Sequence, residues 1–335
     1  MMTVSGDGKL AVVFGGSGFI GRNVVRELAK RGWRVRVAVR RPHQAQYLRP
    51  LGVVGQIQLV QANVRHRPSV EQALIGADAV VNLVGLLFQS GAQKFSTVQA
   101  AGAAGVAELA AKAGVTRFVQ MSAIGADAQS DSLYARTKGE AERAVRAAIP
   151  TATIVRPSIV FGQEDDFFNK FATMATMTPA FVPLPLLIGG GKAKFQPVYV
   201  DDVADAVCAA LARPEAAGRT YELGGPRIYT FRELLELMLA ETGHRRMLAP
   251  VPFALAPVMG FAGEVIGALP MFDPPITRDQ IKLLKHDNIV GAKGDAGGDI
   301  GRIEDLGVRT ETLEAVLPGY MVRFRKYGQF TEKLA

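Results

Sequence analysis

The stretch Leu10 to Gly21, LAVVFGGSGFIG, constrains this chain more than any other. An apolar run, Leu10 to Phe14, ends in Gly15-Gly16-Ser17-Gly18-Phe19-Ile20-Gly21, and a helical pattern from Arg22 to Lys30 follows at once. Strand, glycine turn and helix in that order make a phosphate site. Glycine admits positive φ and lets a ligand approach the backbone closely. The start of the helix leaves unpaired N–H groups and the positive end of a dipole facing the turn. A pyrophosphate satisfies both. The glycines at 15, 18 and 21 follow a GxxGxxG spacing, one step from the GxGxxG dinucleotide fingerprint. Gly15, Ser17, Gly18, Phe19, Ile20 and Gly21 are the expected phosphate contacts.

The next strand, WRVRVAV over 33–39, ends in Arg40-Arg41-Pro42. An NAD site places an acidic side chain there for the ribose 2′-hydroxyl. Two arginines stand in its place, and a guanidinium fork matches a 2′-phosphate. Arg40 and Arg41 therefore predict NADP(H) rather than NAD(H). Further strands are expected at 57–64, with Asn63 placed to bond an adenine edge, and at 79–85, ending in Asn82-Leu83-Val84-Gly85. Short and long helical patterns run over 69–75 and 93–113.

A fifth strand, Arg117 to Met121, is followed by Ser122. Tyr134 and Lys138 lie in a helical pattern from Leu133 to Ala148, on one face of it. A free tyrosine, with a pKa of about 10, is a poor acid or base near neutrality. An adjacent ammonium lowers that value, and a serine hydroxyl can hold a substrate oxygen. Ser122, Tyr134 and Lys138 form the expected catalytic set, with Lys138 also on the nicotinamide ribose. A sixth strand, 152–160, carries Arg156-Pro157-Ser158. Six alternations of strand and helix imply a doubly wound parallel Rossmann sheet. Its ligand belongs at the carboxyl ends of the strands, where Asn63, Val84, Gly85, Pro157 and Ser158 complete the expected cofactor-binding residues.

The pattern then changes. Residues 163–194 read as an irregular substrate-side insertion with Phe167, Phe168, Phe171, Met174 and Met177, suited to an apolar ligand, and with Glu164, Asp165 and Asp166 as its acidic cluster. Residues 195–219 read as a return strand and helix of the Rossmann domain 1–162, with Asp201 or Asp202 as the helix N-cap. Residues 220–335 read as a smaller, discontinuous α/β C-terminal domain. It contains a capping box at Thr230 and Glu233 and a last helix over 310–325. The apolar stretch 250–272 carries Glu264 and Pro252, Pro257 and Pro270. These argue against a membrane span. Core packing is the expectation there, and a surface touching membrane or lipid-like substrate is the alternative.

Among 335 residues there are one cysteine and four histidines, so neither an internal disulfide nor a metal cluster is expected. The first residues show no charged-then-apolar signal pattern, which predicts a reducing compartment. The formal charge of +8 is moderate. Part of it crowds into 30–41 beside the phosphate turn. No nucleic-acid partner is expected, while an acidic membrane surface or protein partner fits the charge.

These features resemble the extended and atypical short-chain dehydrogenase/reductase superfamily, in which the GxxGxxG form of the turn occurs. The match covers the first 160 residues and continues in FQPVYVDDVA at 195–204. More narrowly, VFGGSGFIGRNVVRELAKRGWRVRVAVRRP (13–42), RPSIVFGQEDDFFNKFA (156–172), FQPVYVDDVADAV (195–207) and YELGGPRIYTFRELLELML (221–239) resemble the nucleotide-binding accessory subunit of respiratory complex I and its bacterial homologues. That family implies tightly held NADPH, complex I subunits as partners, and a structural or regulatory role. It also implies a cytoplasmic location at the inner face of the inner membrane, or the matrix side in mitochondria. The superfamily implies hydride transfer, here to an apolar carbonyl, quinone-like or isoprenoid compound. Both readings are open at this point.

Overall fold

A computed structural model describes residue 6 and residues 8–178, 186–267, 274, 276–292 and 300–330. The chain divides into two compact units. The first takes the described residues of Met1–Pro157, Val200–Leu223 and Lys293–Arg309, and the second those of Ser158–Tyr199, Gly224–Ala292 and Thr310–Ala335.

The first unit is built on strands β1 (Leu10–Phe14), β2 (Arg34–Val39), β3 (Ile57–Gln61), β4 (Ala79–Asn82), β5 (Arg117–Met121) and β6 (Thr153–Pro157). Thr220–Leu223 pairs beyond β6, and Ile300–Arg302 beyond that. All pairings in this eight-stranded sheet are parallel. Every residue of β1 and β4 is buried, as expected for strands covered on both faces. The order around the first strand is β4-β1-β2-β3, so the chain reverses its winding between β1 and β4. A crevice opens at the carboxyl ends of strands that part in this way. Helix α1 (Phe19–Lys30) packs with helix Val200–Ala212. Helix α3 (Ala101–Lys112) packs with α2 (Arg67–Leu74) and with α4 (Leu133–Ala148), and residues from all three share a core with β1, β4 and β6.

Several elements differ from the sequence expectation. Helix α1 begins at Phe19, inside the glycine turn, rather than at Arg22. Strands β3 and β4 stop at Gln61 and Asn82, so Asn63, Val84 and Gly85 lie in the loops beyond them. A π-turn, Ser96–Ala100, precedes α3. Phe195–Val200 does not return to the large sheet. It forms two-residue strands in the second unit, Lys194–Phe195 with Tyr229–Thr230 and Val198–Tyr199 with Val160–Phe161. Pro197 interrupts the run, and proline cannot donate to a central ladder. Thr220–Leu223, assigned from sequence to the C-terminal domain, is the strand that joins β6. Helix Val200–Ala212 starts before Asp201 and Asp202, which sit in its first turn rather than at its cap.

The second unit has its own core of Phe161, Phe168, Leu187, Phe195, Phe231, Leu234, Leu317 and Met321. Thr230 and Glu233 form the expected capping box on helix Phe231–Thr242. Phe167 packs edge-on against Phe168, Phe171 and Phe231, and Phe171 against Phe231, so these rings are part of this core. Asp165 is buried and accepts from the Gly162, Phe168 and Asn169 backbones and from the Tyr320 hydroxyl. Of the acidic cluster, Asp165 thereby secures the start of helix Phe167–Met177. Residues 179–185 of the insertion and 268–272 of the apolar stretch lie outside the described residues. Among the described residues no helix is long and apolar enough to cross a membrane.

Candidate functional site

The glycine turn is held by close backbone packing. Gly15 has φ +78°, the left-handed region, and its carbonyl accepts from Gly18 N at 3.0 Å. A Cβ on Gly21 would lie 2.3 Å from Gly15 O and 2.6 Å from Gly16 Cα. Only hydrogen fits where the helix crosses the turn. Gly16, absent from the expected set, has a packing role: its Cβ would meet Val37 Cγ1 at 2.6 Å. Gly18 differs, since a Cβ there would touch only Gly15 O, at 3.4 Å. Gly18 is also the N-cap of α1, with no side-chain cap bond and no acidic residue in the first turn. The N–H groups of the first turn, Phe19 and Ile20 among them, thus face no carboxylate of their own helix. Ser17 is held by its carbonyl, which accepts from Tyr47 Oη at 2.6 Å, and the Arg22 guanidinium stacks over the Tyr47 ring.

Arg40 and Arg41 follow β2 and are both exposed. Asn63 turns its Oδ1 back to Arg65 N at 3.1 Å, while its backbone N–H donates to Ser69 Oγ. Any adenine contact would therefore fall to its Nδ2. The Val84 N–H donates to Asn82 Oδ1, and Asn82 Nδ2 donates to Gln120 Oε1 in the buried interior. Gln99 accepts from Leu86 N and donates to Thr137 Oγ1, tying the loop after Gly85 to α4. Sequence reasoning missed Gln99 and Gln120, whose partners Thr137 and Asn82 lie 38 residues away.

Lys138 is 5% exposed. Its Nζ donates to Met121 O at 3.3 Å and lies 5.9 Å from the Tyr134 ring centroid. A Cβ on Gly85 would come within 3.3 Å of Lys138 Nζ, so glycine there lets the ammonium reach the loop after β4. Burial lowers the Lys138 pKa to about 8, against the opposing pull of Glu142. Burial pushes Tyr134 up to about 12. Its surface is half-buried. Phe95 packs edge-on against the Tyr134 ring at 5.8 Å. The expected lowering of the Tyr134 pKa by Lys138 is corrected here. Desolvation dominates, and the ammonium is directed to a main-chain carbonyl.

Ser122, 4% exposed, donates its hydroxyl to Glu142 Oε1 at 2.5 Å. Arg156 grips the same carboxylate through Nε at 2.9 Å and Nη2 at 2.6 Å, and its Nη1 lies 3.8 Å from Glu222. Burial opposes the Arg156 charge, yet its bonds to Glu142 raise its pKa. Glu142 was legible only as a residue one helical turn beyond Lys138. At the end of β6, the Pro157 carbonyl accepts from Ile124 N. Ser158 follows directly and opens the second unit, where its Oγ lies 2.7 Å from Asn288 Oδ1 and accepts from Gln196 N. Its hydroxyl is a framework bond there. The first unit thus brings together the glycine turn, the loops after β2, β3 and β4, Ser122, Tyr134, Lys138 and Pro157.

The model of the NAD dependent epimerase/dehydratase family matches residues 11–224. The chain is 34% identical to the mitochondrial NADH dehydrogenase [ubiquinone] 1 alpha subcomplex subunit 9 of Arabidopsis thaliana, over 96% of this chain and 79% of that protein. It is 32% identical to the ceramide reductase of Caulobacter vibrioides, over 72% of this chain and 74% of that one. In structure it is similar to the dTDP-glucose 4,6-dehydratase DesIV of Streptomyces venezuelae, with a TM-score of 0.65 at 21% identity, covering 94% of this chain and 96% of that one. With its parallel sheet and glycine turn, the chain belongs to the NAD dependent epimerase/dehydratase family.

Proposed function

We propose that this protein is an NADP(H)-binding accessory subunit of respiratory complex I, attached peripherally at the inner face of the inner membrane. The observation that carries this reading is the similarity, along 96% of the chain, to a protein named as a subunit of NADH dehydrogenase. The geometry supports a binder. The N–H groups of Phe19 and Ile20 would take the pyrophosphate, with Gly15, Ser17, Gly18 and Gly21 shaping the turn. Arg40 and Arg41 would take the 2′-phosphate, and Asn63 the adenine. Val84, Gly85 and Pro157 would line the nicotinamide end, and Lys138 would hold its ribose. When bound, NADPH supplies a hydride.

The chain's own groups are poorly poised to use that hydride. Ser122 donates its hydrogen bond to Glu142, and burial pushes the Tyr134 pKa up, away from neutrality. A second reading is a reductase acting on an apolar carbonyl, quinone-like or isoprenoid compound. The co-occurrence of Ser122, Tyr134 and Lys138, and the similarity to a ceramide reductase, favour it. In that case Tyr134 is the acid, Lys138 tunes it once the cofactor is in place, and Ser122 must leave Glu142 to hold the substrate oxygen.

Gentle extraction from native membranes, followed by native electrophoresis and release of the bound nucleotide, separates the two. Co-migration with complex I and retained NADPH are expected. A freely soluble protein with exchanging cofactor and turnover on hydrophobic carbonyls would overturn the accessory reading.

A further inference from the structure

Helix Ala256–Gly267 in the second unit is turned inside out. Its inward side is built from small residues. A Cβ on Gly260 would come 2.9 Å from Arg278 N, and one on Gly263 would come 2.2 Å from Ile276 O. Ala256 is fully buried, in a cluster with Ile188 and Ile281. The outward side is large and apolar: Val258 is 69%, Phe261 57% and Val265 54% exposed, with Leu255 at 59% just ahead of the helix. Positions 258, 261 and 265 follow i, i+3, i+7 spacing and share one face. A helix that only completed a core would show the reverse.

Beside this face runs the helix Arg278–Leu283. Arg278 and Lys282 lie one turn apart on it, Lys285 follows in the turn after it, and Arg278 and Lys285 are exposed. The Arg278 guanidinium lies 5.7 Å from the Phe261 ring centroid and pairs with Glu264 at 2.8 Å. The acidic group nearest the apolar face is thereby neutralised. An apolar helix face with a basic stripe alongside is the pattern of a helix lying in a membrane interface.

We propose that this face is the surface by which the protein lies on an anionic lipid bilayer. Leu255, Val258, Phe261 and Val265 enter the boundary between headgroups and acyl chains, and Lys282 and Lys285 meet the lipid phosphates. The inference deepens the membrane location proposed above and rests on it. The apolar helix face and the basic residues beside it favour a bilayer over a protein partner, because acyl chains accept the one while anionic headgroups complement the other.

The test uses the full-length protein and sedimentation with vesicles of phosphatidylcholine alone or mixed with phosphatidylglycerol. The unaltered protein should sediment with the mixed vesicles and much less with neutral ones. Val258→Asp with Phe261→Asp should lower that partitioning by roughly tenfold or more. Lys282→Glu with Lys285→Glu should erase the preference for anionic lipid while leaving the melting temperature near the parent value. Failure of the unaltered protein to bind either vesicle, or unchanged binding by the Val258/Phe261 variant, would overturn the proposal. If vesicles are ignored while that variant loses co-migration with complex I, the face is a protein-docking surface and the complex I reading stands. Vesicle binding by a protein that does not co-migrate with complex I would sink that reading and leave the lipid surface intact.

Discussion

Ser122 Oγ sits 2.5 Å from Glu142 Oε1 and donates to it. A serine hydroxyl has one proton, and an ionised carboxylate only accepts. With that proton committed, Ser122 presents lone pairs to its surroundings. It can receive a bond from a ligand O–H or N–H, but it can polarise a carbonyl only after leaving Glu142. Arg156, bonded to both Glu142 oxygens, holds the carboxylate in place as α4, β5 and β6 meet.

Removing Glu142 should therefore harm the fold more than removing Ser122. Glu142→Ala leaves Arg156 without its close partner in a site where the side chain is 19% exposed. Breaking such a pair should cost about 3 kcal/mol, while Ser122→Ala should cost about 1.5 kcal/mol. Urea unfolding measures both. Equal costs would show that the carboxylate is not what locks the three elements together.

Lys138 should leave a signature in the pH dependence of stability. Its pKa is near 8 when folded, against 10.5 in the reference state, chiefly through burial. Between those values the unfolded chain holds a proton that the native chain lacks, so stability should rise with pH across that window. Lys138→Met should flatten the rise, by about 1–3 kcal/mol. Chemical denaturation of the cofactor-free protein across that range, for both forms, isolates the contribution.

Arg40 and Arg41 should set the choice of cofactor. Replacing both by an Asp-Ala pair removes a charged hydrogen bond worth about 1.5–3 kcal/mol. NADPH should weaken by roughly tenfold to a hundredfold and NADH hardly at all. Calorimetric titration with each nucleotide reads this out, and equal affinities in the unaltered protein would contradict it.

The glycines should separate by role. Gly21→Ala forces a methyl against Gly15 O and Gly16 Cα, so overpacking of about 1–3 kcal/mol is expected, together with loss of nucleotide binding. Gly18→Ala meets only Gly15 O, at an ordinary contact distance of 3.4 Å, and keeps φ at −77°. It should keep its melting temperature and lose affinity alone, since the methyl stands where the phosphate approaches. A Gly18 variant that binds as the parent does would place the pyrophosphate elsewhere.

Tyr134→Phe tests chemistry directly. General acid–base catalysis contributes about 10² to 10⁴ in rate, so a reductase should lose that much turnover with its NADPH affinity unchanged. An accessory subunit should assemble and retain cofactor as before. The expectation here is the second outcome, read by native electrophoresis of membranes carrying the variant.

What could be read from the sequence was local in origin. The run Leu10–Phe14, the glycine turn and the helix after it are dictated by neighbouring residues, and so is α4, whose limits Leu133 and Ala148 match its amphipathic pattern. The capping box at Thr230 and Glu233 is equally local. Six strands in alternation with helices leave a parallel sheet as the way to pair them, and that topology alone carries the turn, Arg40 and Ser122 to one end.

The tertiary structure decided what depends on distant partners. Phe195–Tyr199 has the composition of a sheet strand, yet Pro197 and pairing with Val160–Phe161 keep it out of the large sheet. The phenylalanines of the insertion read as a pocket until Phe195 and Phe231 closed over them as core. Ser122 read as a substrate contact until α4 brought Glu142 beneath it from 20 residues away. Spacing along the chain determines which residues share a face. Whether a hydroxyl on that face meets a ligand or a carboxylate depends on which helix packs behind it, and burial then sets the charge each group can hold.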